Sequence, residues 1–348
     1  MPNQGKAVFS LRPKFKKGKI TCPVCGHEHH WHCSVTEDDS LALCKCVWSS
    51  KQAKDGRYIH VLKKPDYGAD RHSVVSAPAI SECGTAETIK AGADRCDAVY
   101  RYLLGNCLSL KPEHGTGLLE ARGLSDDVIA AKLYASTPPA TRAGEICSEL
   151  SEQFDLTGVP GFYRAKDDAW RMNVYAQGLF VPSCDAQGRI AACQIRCDEG
   201  DIRYLWFSSS GMHGGASSGA PVHFAKPDLV KQSGCALITE GALKADIIAE
   251  LDESAVIGLP GVSTFNPATI GEQLSEPLPE LRNIVVVFDM DWRDKKEVKK
   301  ALFRLLGALR HSKLSAEVWT WDVNLGKGYD DFLINRERGQ HRNDDLRD

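Results

Sequence analysis

Two apolar runs in the last third of the chain each end on an acid. Ala236-Leu-Ile-Thr leads into Glu240-Gly, and Ile284-Val-Val-Val-Phe288 leads into Asp289-Met-Asp291. Short apolar runs without alternation mark strands buried on both faces, which is what a parallel sheet covered by helices requires. Parallel strands in turn need crossover helices. Ala242–Leu251 supplies one, and Val298, Leu302, Leu305, Leu306 and Leu309 form a stripe of helical period that supplies another. Ala255-Val-Ile-Gly and Ala316-Glu-Val-Trp-Thr-Trp add two more strands. The fold class expected here is therefore α/β. In open sheets of this kind the strand C-termini converge on one crevice, where ligands bind. Carboxylates delivered there from separate strands can hold a divalent cation against a phosphate. Asp330-Asp331, in G-K-G-Y-D-D-F-L, forms a third acidic island. Taken singly, each acid also suits a helix N-cap.

The order Glu-Gly after a strand, D-x-D after a strand and an acidic pair after Lys-Gly resembles the toprim domain, a Rossmann-like unit shared by bacterial-type primases, topoisomerases and some nucleases. The resemblance spans residues 234–335. It implies that Glu240 acts as general acid or base, and that Glu240, Asp289, Asp291 and Asp330 bind magnesium or manganese. Lys244 lies one helical turn past Glu240, so it either faces the same crevice and meets phosphate or is solvated. Lys327, in the Lys-Gly before the acidic pair, is a further candidate for nucleotide or nucleic-acid contact.

The N-terminal residues have a different character. Residues 1–20 hold Lys6, Arg12, Lys14, Lys16, Lys17 and Lys19 and no acid, in a chain whose net charge is −3. Such an arm suits a phosphate backbone, although arms of this kind are also often merely solvated. Five of the 13 cysteines then fall between residues 22 and 46. With no export signature, this points to a reducing compartment and a metal site, not to disulfides. The expected location is cytoplasmic, and no apolar stretch is long enough to span a membrane.

Cys22-Pro-Val-Cys25-Gly has the form of a zinc knuckle. His30–Val35 and Leu41–Cys46 read as the strands of a hairpin around Glu37-Asp-Asp-Ser40. With that turn as centre, Cys33 falls opposite Cys44. Their Cβ atoms would then lie about 4.5–5.5 Å apart, close enough to share a tetrahedral ion. Cys22, Cys25, Cys33 and Cys44 are therefore the preferred zinc ligands. Cys46, which shares a face with Cys44, gives the rival set of Cys22, Cys25, Cys44 and Cys46, and His27, His29, His30 and His32 compete. Trp31 either stacks on an unpaired base or covers the metal.

Residues 63–97 are rich in Ala, Ser, Gly and charge and read as a linker. Residues 98–152 read as helical, with Ser125 capping a helix that buries Val128 and Ile129. Residues 158–232 read as β-rich. Gly178–Pro182 and Arg189–Arg196 flank the turn Asp185–Gly188, and Ile202–Phe207 follows Asp198–Asp201. This second turn sets Arg196 opposite Arg203, a pairing that either brackets an anion or splays into water. Arg171 is a further candidate for nucleic-acid contact. Ser208–Gly219 reads as a mobile Gly/Ser-rich loop without a phosphate-binding G-x-x-x-x-G-K-[ST].

The Leu-x-x-Arg-Gly-Leu-Ser segment with the following Val128-Ile129, and the strand, D-x-x-G, strand ending in Arg and then Tyr-Leu, are similar to the core of bacterial-type DNA primases. The form resembled is the compact one of plasmids, phages and mobile elements. The domain organisation this implies is a basic arm (1–20), a zinc ribbon (21–62), a linker (63–97), an α+β subdomain (98–232), a toprim domain (233–335) and a disordered tail (336–348). It implies primer synthesis from nucleoside triphosphates on a single-stranded DNA template, with structural zinc, catalytic Mg²⁺ or Mn²⁺, and any helicase partner acting in trans. A toprim nuclease and a non-catalytic protein that binds single-stranded DNA are the alternatives.

Overall fold

In the computed structural model the described residues are 15–16, 20–21, 28–29, 33–37, 41–44, 53, 57–62, 88–200 and 202–344. The chain divides into two units, residues 1–82 and 83–348. In the first, β1 (Ile20–Thr21) pairs antiparallel with β2 (Glu28–His29). A separate antiparallel sheet holds β3 (Cys33–Val35), β4 (Leu41–Cys44) and β5 (Tyr58–Val61). Its register sets Cys33 opposite Cys44, with the buried sulfurs 3.7 Å apart. Cys22, Cys25, the rival Cys46, Trp31, His27, His30 and His32 lie outside the described residues, as do Lys6, Arg12, Lys14, Lys17 and Lys19 of the arm.

The second unit opens with α1 (Ala93–Tyr102), which runs on into a wide π turn over Leu103–Cys107. The helix starts inside the stretch expected to be linker. Buried Cys96, Val99 and Tyr100 form its inner face. Charges on the outer face hid that spacing, and Asp97 accepts a hydrogen bond from the Ile190 N–H at 2.7 Å. Next come α2 (Pro112–Thr116), α3 (Asp126–Ala131), β6 (Ala135–Ser136) and α4 (Ala140–Gln153). The Val128 N–H donates to Ser125 Oγ at 3.3 Å, the expected cap. The hairpin β7 (Phe162–Arg164) and β8 (Trp170–Met172) leads to β9 (Gly178–Cys184), β10 (Ile190–Cys197) and β11 (Tyr204–Trp206). β6, β9, β10 and β11 form an antiparallel sheet in the order β11-β10-β9-β6. Phe207 fills its core, edge-on to Phe162 and Phe180 at 5.3 and 5.2 Å.

Two expectations in this region are corrected. Arg196 lies opposite Tyr204, not Arg203, and the Cys197 N–H donates to the Arg203 carbonyl at 2.9 Å. The connection is one residue longer than a four-residue turn, with Gly200 in the left-handed region at φ 93°. A slip of one residue reverses the face, so the two arginines do not bracket an anion between them. The Ser208–Gly219 loop is packed. Ser209 is fully buried, the Arg164 N–H donates to the His213 carbonyl at 2.8 Å, and the Gly158 N–H donates to that of Gly214 at 2.9 Å.

The remaining elements are β12 (His223–Ala225), α5 (Val230–Ser233), β13 (Cys235–Glu240), α6 (Ala242–Leu251) and β14 (Val256–Leu259), then α7 (Ile270–Ser275), β15 (Asn283–Val286), α8 (Lys296–His311), β16 (Ser315–Val318) and α9 (Tyr329–Asp344). The sheet order is β12-β14-β13-β15-β16, parallel except for β12 at one edge. Alternate residues feed the two faces. Ile238 and Val286 pack with Leu302, Leu305 and Leu309 of α8, whereas Leu237 and Val285 pack with Ile248 of α6 and Leu333 of α9. α9 continues through residues 336–344, where a disordered tail was expected. Buried Tyr329 and Leu333 anchor its first turns, and a helix once nucleated propagates cheaply.

A buried polar cluster ties α6 to the antiparallel layer. Asp246, 1% exposed, accepts hydrogen bonds from Lys132 Nζ (2.6 Å), Tyr134 OH (2.7 Å) and His223 Nε2 (3.2 Å). The Cys184 N–H donates to His223 Nδ1 at 2.9 Å, which places the ring proton on Nε2. Among the described residues no helix is long and apolar enough to cross a membrane.

Candidate functional site

β13 and β15 are neighbours in the parallel sheet, so Glu240 at the end of one and Asp289 just beyond the other emerge at the same edge. Gly241, at φ 83°, turns the chain sharply from β13 into α6, and its N–H donates to the Leu259 carbonyl at 2.7 Å. This turn puts Lys244 in the first turn of α6, where its Nζ donates to Asp289 Oδ1. The 289–291 and 326–328 segments are tied together by the Met290 N–H, which donates to the Lys327 carbonyl at 2.9 Å. Lys327 Nζ thereby lies 3.2 Å from Asp289 Oδ2 and 2.8 Å from Asp291 Oδ2, and Lys295 Nζ lies 2.7 Å from the same Asp291 oxygen.

Asp330, near the start of α9, has no solvent exposure. Its Oδ2 accepts from Arg122 at 3.1 Å, and Arg122 also lies 3.3 Å from Asp331 Oδ1. Its Oδ1 is buried without a hydrogen-bond partner among the described residues. That atom faces Gly328, where a Cβ would collide with it and would stand 3.2 Å from Asp289 Oδ1. Glycine therefore keeps a small space open beside two carboxylates.

Charge and burial shift the groups in different directions. Partial burial raises the Glu240 pKa, and Asp289 and Asp291 add to the rise against the opposing pull of Lys244 and Lys327. Burial likewise raises Asp330, with Lys244 and Arg122 opposing. Burial alone would raise Asp291 too, but its bonds to Lys295 and Lys327 hold it below the usual carboxylate range. Lys244 is raised: its burial works against the charge, and Asp289 and Asp330 outweigh it.

The structure thus brings Asp289, Asp291, Asp330, Lys244 and Lys327 together and sets Glu240 at the mouth. Among the described residues no group of three or more His, Cys, Asp or Glu is arranged to hold a metal ion. The four acids expected as ligands do not form a ready cage, because the lysines occupy the oxygens of Asp289 and Asp291. The donor chemistry still fits a divalent cation. The oxygens are hard, and the unpartnered Asp330 Oδ1 lies in buried surroundings where a positive charge would compensate it. Arg171 is elsewhere, paired with Asp167 at 2.9 Å. Arg122 was not anticipated, whereas Asp331 was read only as part of the acidic pair and Lys295 only as solvated or facing a polyanion. Only the R-G-L-S segment pointed at Arg122, and nothing in it says where the side chain goes.

The family model described as "Domain of unknown function (DUF3854)" matches residues 229–340. No match is found among curated protein sequences. Among solved structures, the Aquifex aeolicus primase, comprising zinc-binding and RNA polymerase domains, superposes with a TM-score of 0.52 at 14% identity, covering 96% of this chain and 79% of that one. The fold is primase-type. The RNA polymerase domain of Mycobacterium tuberculosis primase DnaG superposes with a TM-score of 0.51 at 12% identity, covering 70% of this chain and 82% of the other. At these identities the likeness is one of fold.

Proposed function

We propose that this chain is a DNA primase that synthesises short primers on single-stranded DNA from nucleoside triphosphates. The observation that carries the reading is the crevice in which Asp289 and the buried, half-satisfied Asp330 flank Gly328, with Lys244 and Lys327 beside them. Asp289, Asp291 and Asp330 would hold Mg²⁺ or Mn²⁺. Such an ion, when bound, supplies charge stabilisation to the transferring phosphoryl group. Lys244 and Lys327, now paired with carboxylates, would turn to the triphosphate of the incoming nucleotide. Arg122 keeps Asp330 oriented through Oδ2. Glu240, raised in pKa and open at the mouth, would accept the proton of the attacking hydroxyl at a carboxylate oxygen. In the N-terminal unit, the register of Cys33 with Cys44 supports a zinc site completed by Cys22 and Cys25.

The test incubates the full chain with single-stranded DNA, labelled nucleoside triphosphates and Mg²⁺ or Mn²⁺. Short labelled products are expected, and Asp289→Asn should abolish them with little change of volume. Degraded DNA would mean a nuclease, and a shifted but unchanged strand a binding protein. Either result, or near-normal synthesis by Asp289→Asn, overturns the assignment.

A further inference from the structure

The outer face of α8 breaks three rules of local structure at once. Its first turns carry Lys296, Lys299 and Lys300, just after Lys295, although cations at a helix N-terminus oppose the macrodipole. Phe303 follows on the same face and is 58% exposed. One turn further, Gly307 occupies a helix interior where none of the described residues comes within 4 Å of the position of its Cβ, so no packing among them requires a glycine. Residues 296, 299, 300, 303 and 307 follow the spacing of a single helical face. The opposite face, with Leu302, Leu305 and Leu309, is fully committed to the core. Residues 293–313 hold eight lysines and arginines and only two acids, Asp294 and Glu297, in a chain whose net charge is −3. Lys300 is 3.2 Å from Glu297, whereas Lys296 and Lys299 have no ion-pair partner among the described residues. Departures from local preference that no packing explains cluster at functional surfaces.

We infer that this face of α8 binds single-stranded nucleic acid, with the lysines on phosphates, Phe303 stacked on an unpaired base, and the bare backbone at Gly307 admitting the strand closely. The face begins next to the acids, since Lys295 immediately before α8 holds Asp291 at 2.7 Å. A strand lying on it would leave the crevice along the helix, with Lys296 to Phe303 spanning about 10 Å. The surface is additional to the crevice. The inference rests on the proposed function for the nature of the strand.

The test measures equilibrium binding of a labelled single-stranded oligonucleotide and of a blunt duplex of equal length to the full chain, over a range of salt. The variants are Lys296→Ala/Lys299→Ala/Lys300→Ala and, separately, Phe303→Ala. All four side chains are exposed, and thermal melts check that the fold is kept. The triple variant should lower the slope of log affinity against log salt by about 2 for the single strand, because each lost phosphate contact removes about 0.7. Phe303→Ala should leave the slope unchanged and weaken single-strand binding about fivefold or more, while sparing the duplex. An unchanged slope in the triple variant overturns the inference, as does an equal effect of Phe303→Ala on both nucleic acids. Failure of the synthesis assay alongside these binding changes would sink the primase reading and leave this surface standing.

Discussion

Asp330→Asn separates the two jobs of a buried carboxylate. Asp330 is fully buried, one oxygen satisfied by Arg122 and the other without a partner among the described residues. An unsatisfied buried polar atom costs about 1–3 kcal/mol, and more when charged. Asparagine keeps the shape and an acceptor for Arg122, which also retains Asp331, and removes the charge. Without divalent cations at neutral pH, the variant should be as stable as the wild type or more stable by about 1 kcal/mol, which raises the melting temperature by about 2–4 °C in a domain of this size. The pH dependence has a definite sign. The folded-state pKa of Asp330 is raised, so its native form binds a proton more readily than the unfolded chain does. Its contribution therefore favours folding at low pH and is lost as pH climbs from about 4 through the raised value. The wild type should show that decline and the Asn variant should not. Mg²⁺ or Mn²⁺ at a hundred times its dissociation constant should stabilise the wild type by about 2.7 kcal/mol, with most of that lost in the variant. Calorimetry with and without metal measures all of this. A variant more than about 1 kcal/mol less stable in the absence of metal, or a wild type indifferent to both cations, would refute the reasoning.

Asp246→Asn should cost about 3–5 kcal/mol in denaturant unfolding, because it breaks an ion pair with a buried carboxylate and leaves Lys132 only the longer contact with Glu250 at 3.9 Å. Burial opposes the Asp246 charge, but His223 and Lys132 hold its pKa well below the usual range. That part of the stability is present above about pH 4 and falls away in stronger acid, which an acid titration of the wild type would follow. Gly307→Ala should add about 0.8–1 kcal/mol, measured by the same denaturation, because the new methyl meets nothing and helix propensity improves. In the N-terminal unit, Cys33→Ser should release zinc whereas Cys46→Ser keeps one ion per chain. Metal analysis of the purified variants would reverse the ligand assignment if Cys33→Ser retained a full complement.

The parallel strands were legible because burial on both faces leaves uninterrupted apolar runs, and the acids at their ends mark the crevice without any knowledge of the helices. The hairpin at Cys33 and Cys44 was legible because a symmetric four-residue turn fixes register. The same rule failed at Arg196, where Gly200 allows one more residue into the connection and shifts the pairing to Tyr204. Contacts between distant segments left no local trace. Lys132 lies just past the end of α3 and Asp246 within the largely buried α6, and each looks like a solvated charge until the two segments meet. The occupation of Asp289 by Lys244 and Lys327 was equally hidden, since spacing places a lysine near an acid without saying that the two will pair.

Arg122 and Asp330 are separated by 208 positions along the chain, yet they meet inside the crevice. Synthesis delivers the chain from its N-terminus, and domains begin to fold as they emerge. The strands bearing Glu240 and Asp289 can therefore assemble while Asp330 is still unmade, and α9 is the last of the helices covering this sheet to arrive. Closing so long a loop has an entropic cost that grows only with the logarithm of its length, so lateness and not energy sets the order. Until α9 docks, the nascent protein holds Asp289 paired with Lys244 but no Asp330 beside Gly328. The crevice is thus completed only when α9 docks, after the strands that carry its other acids.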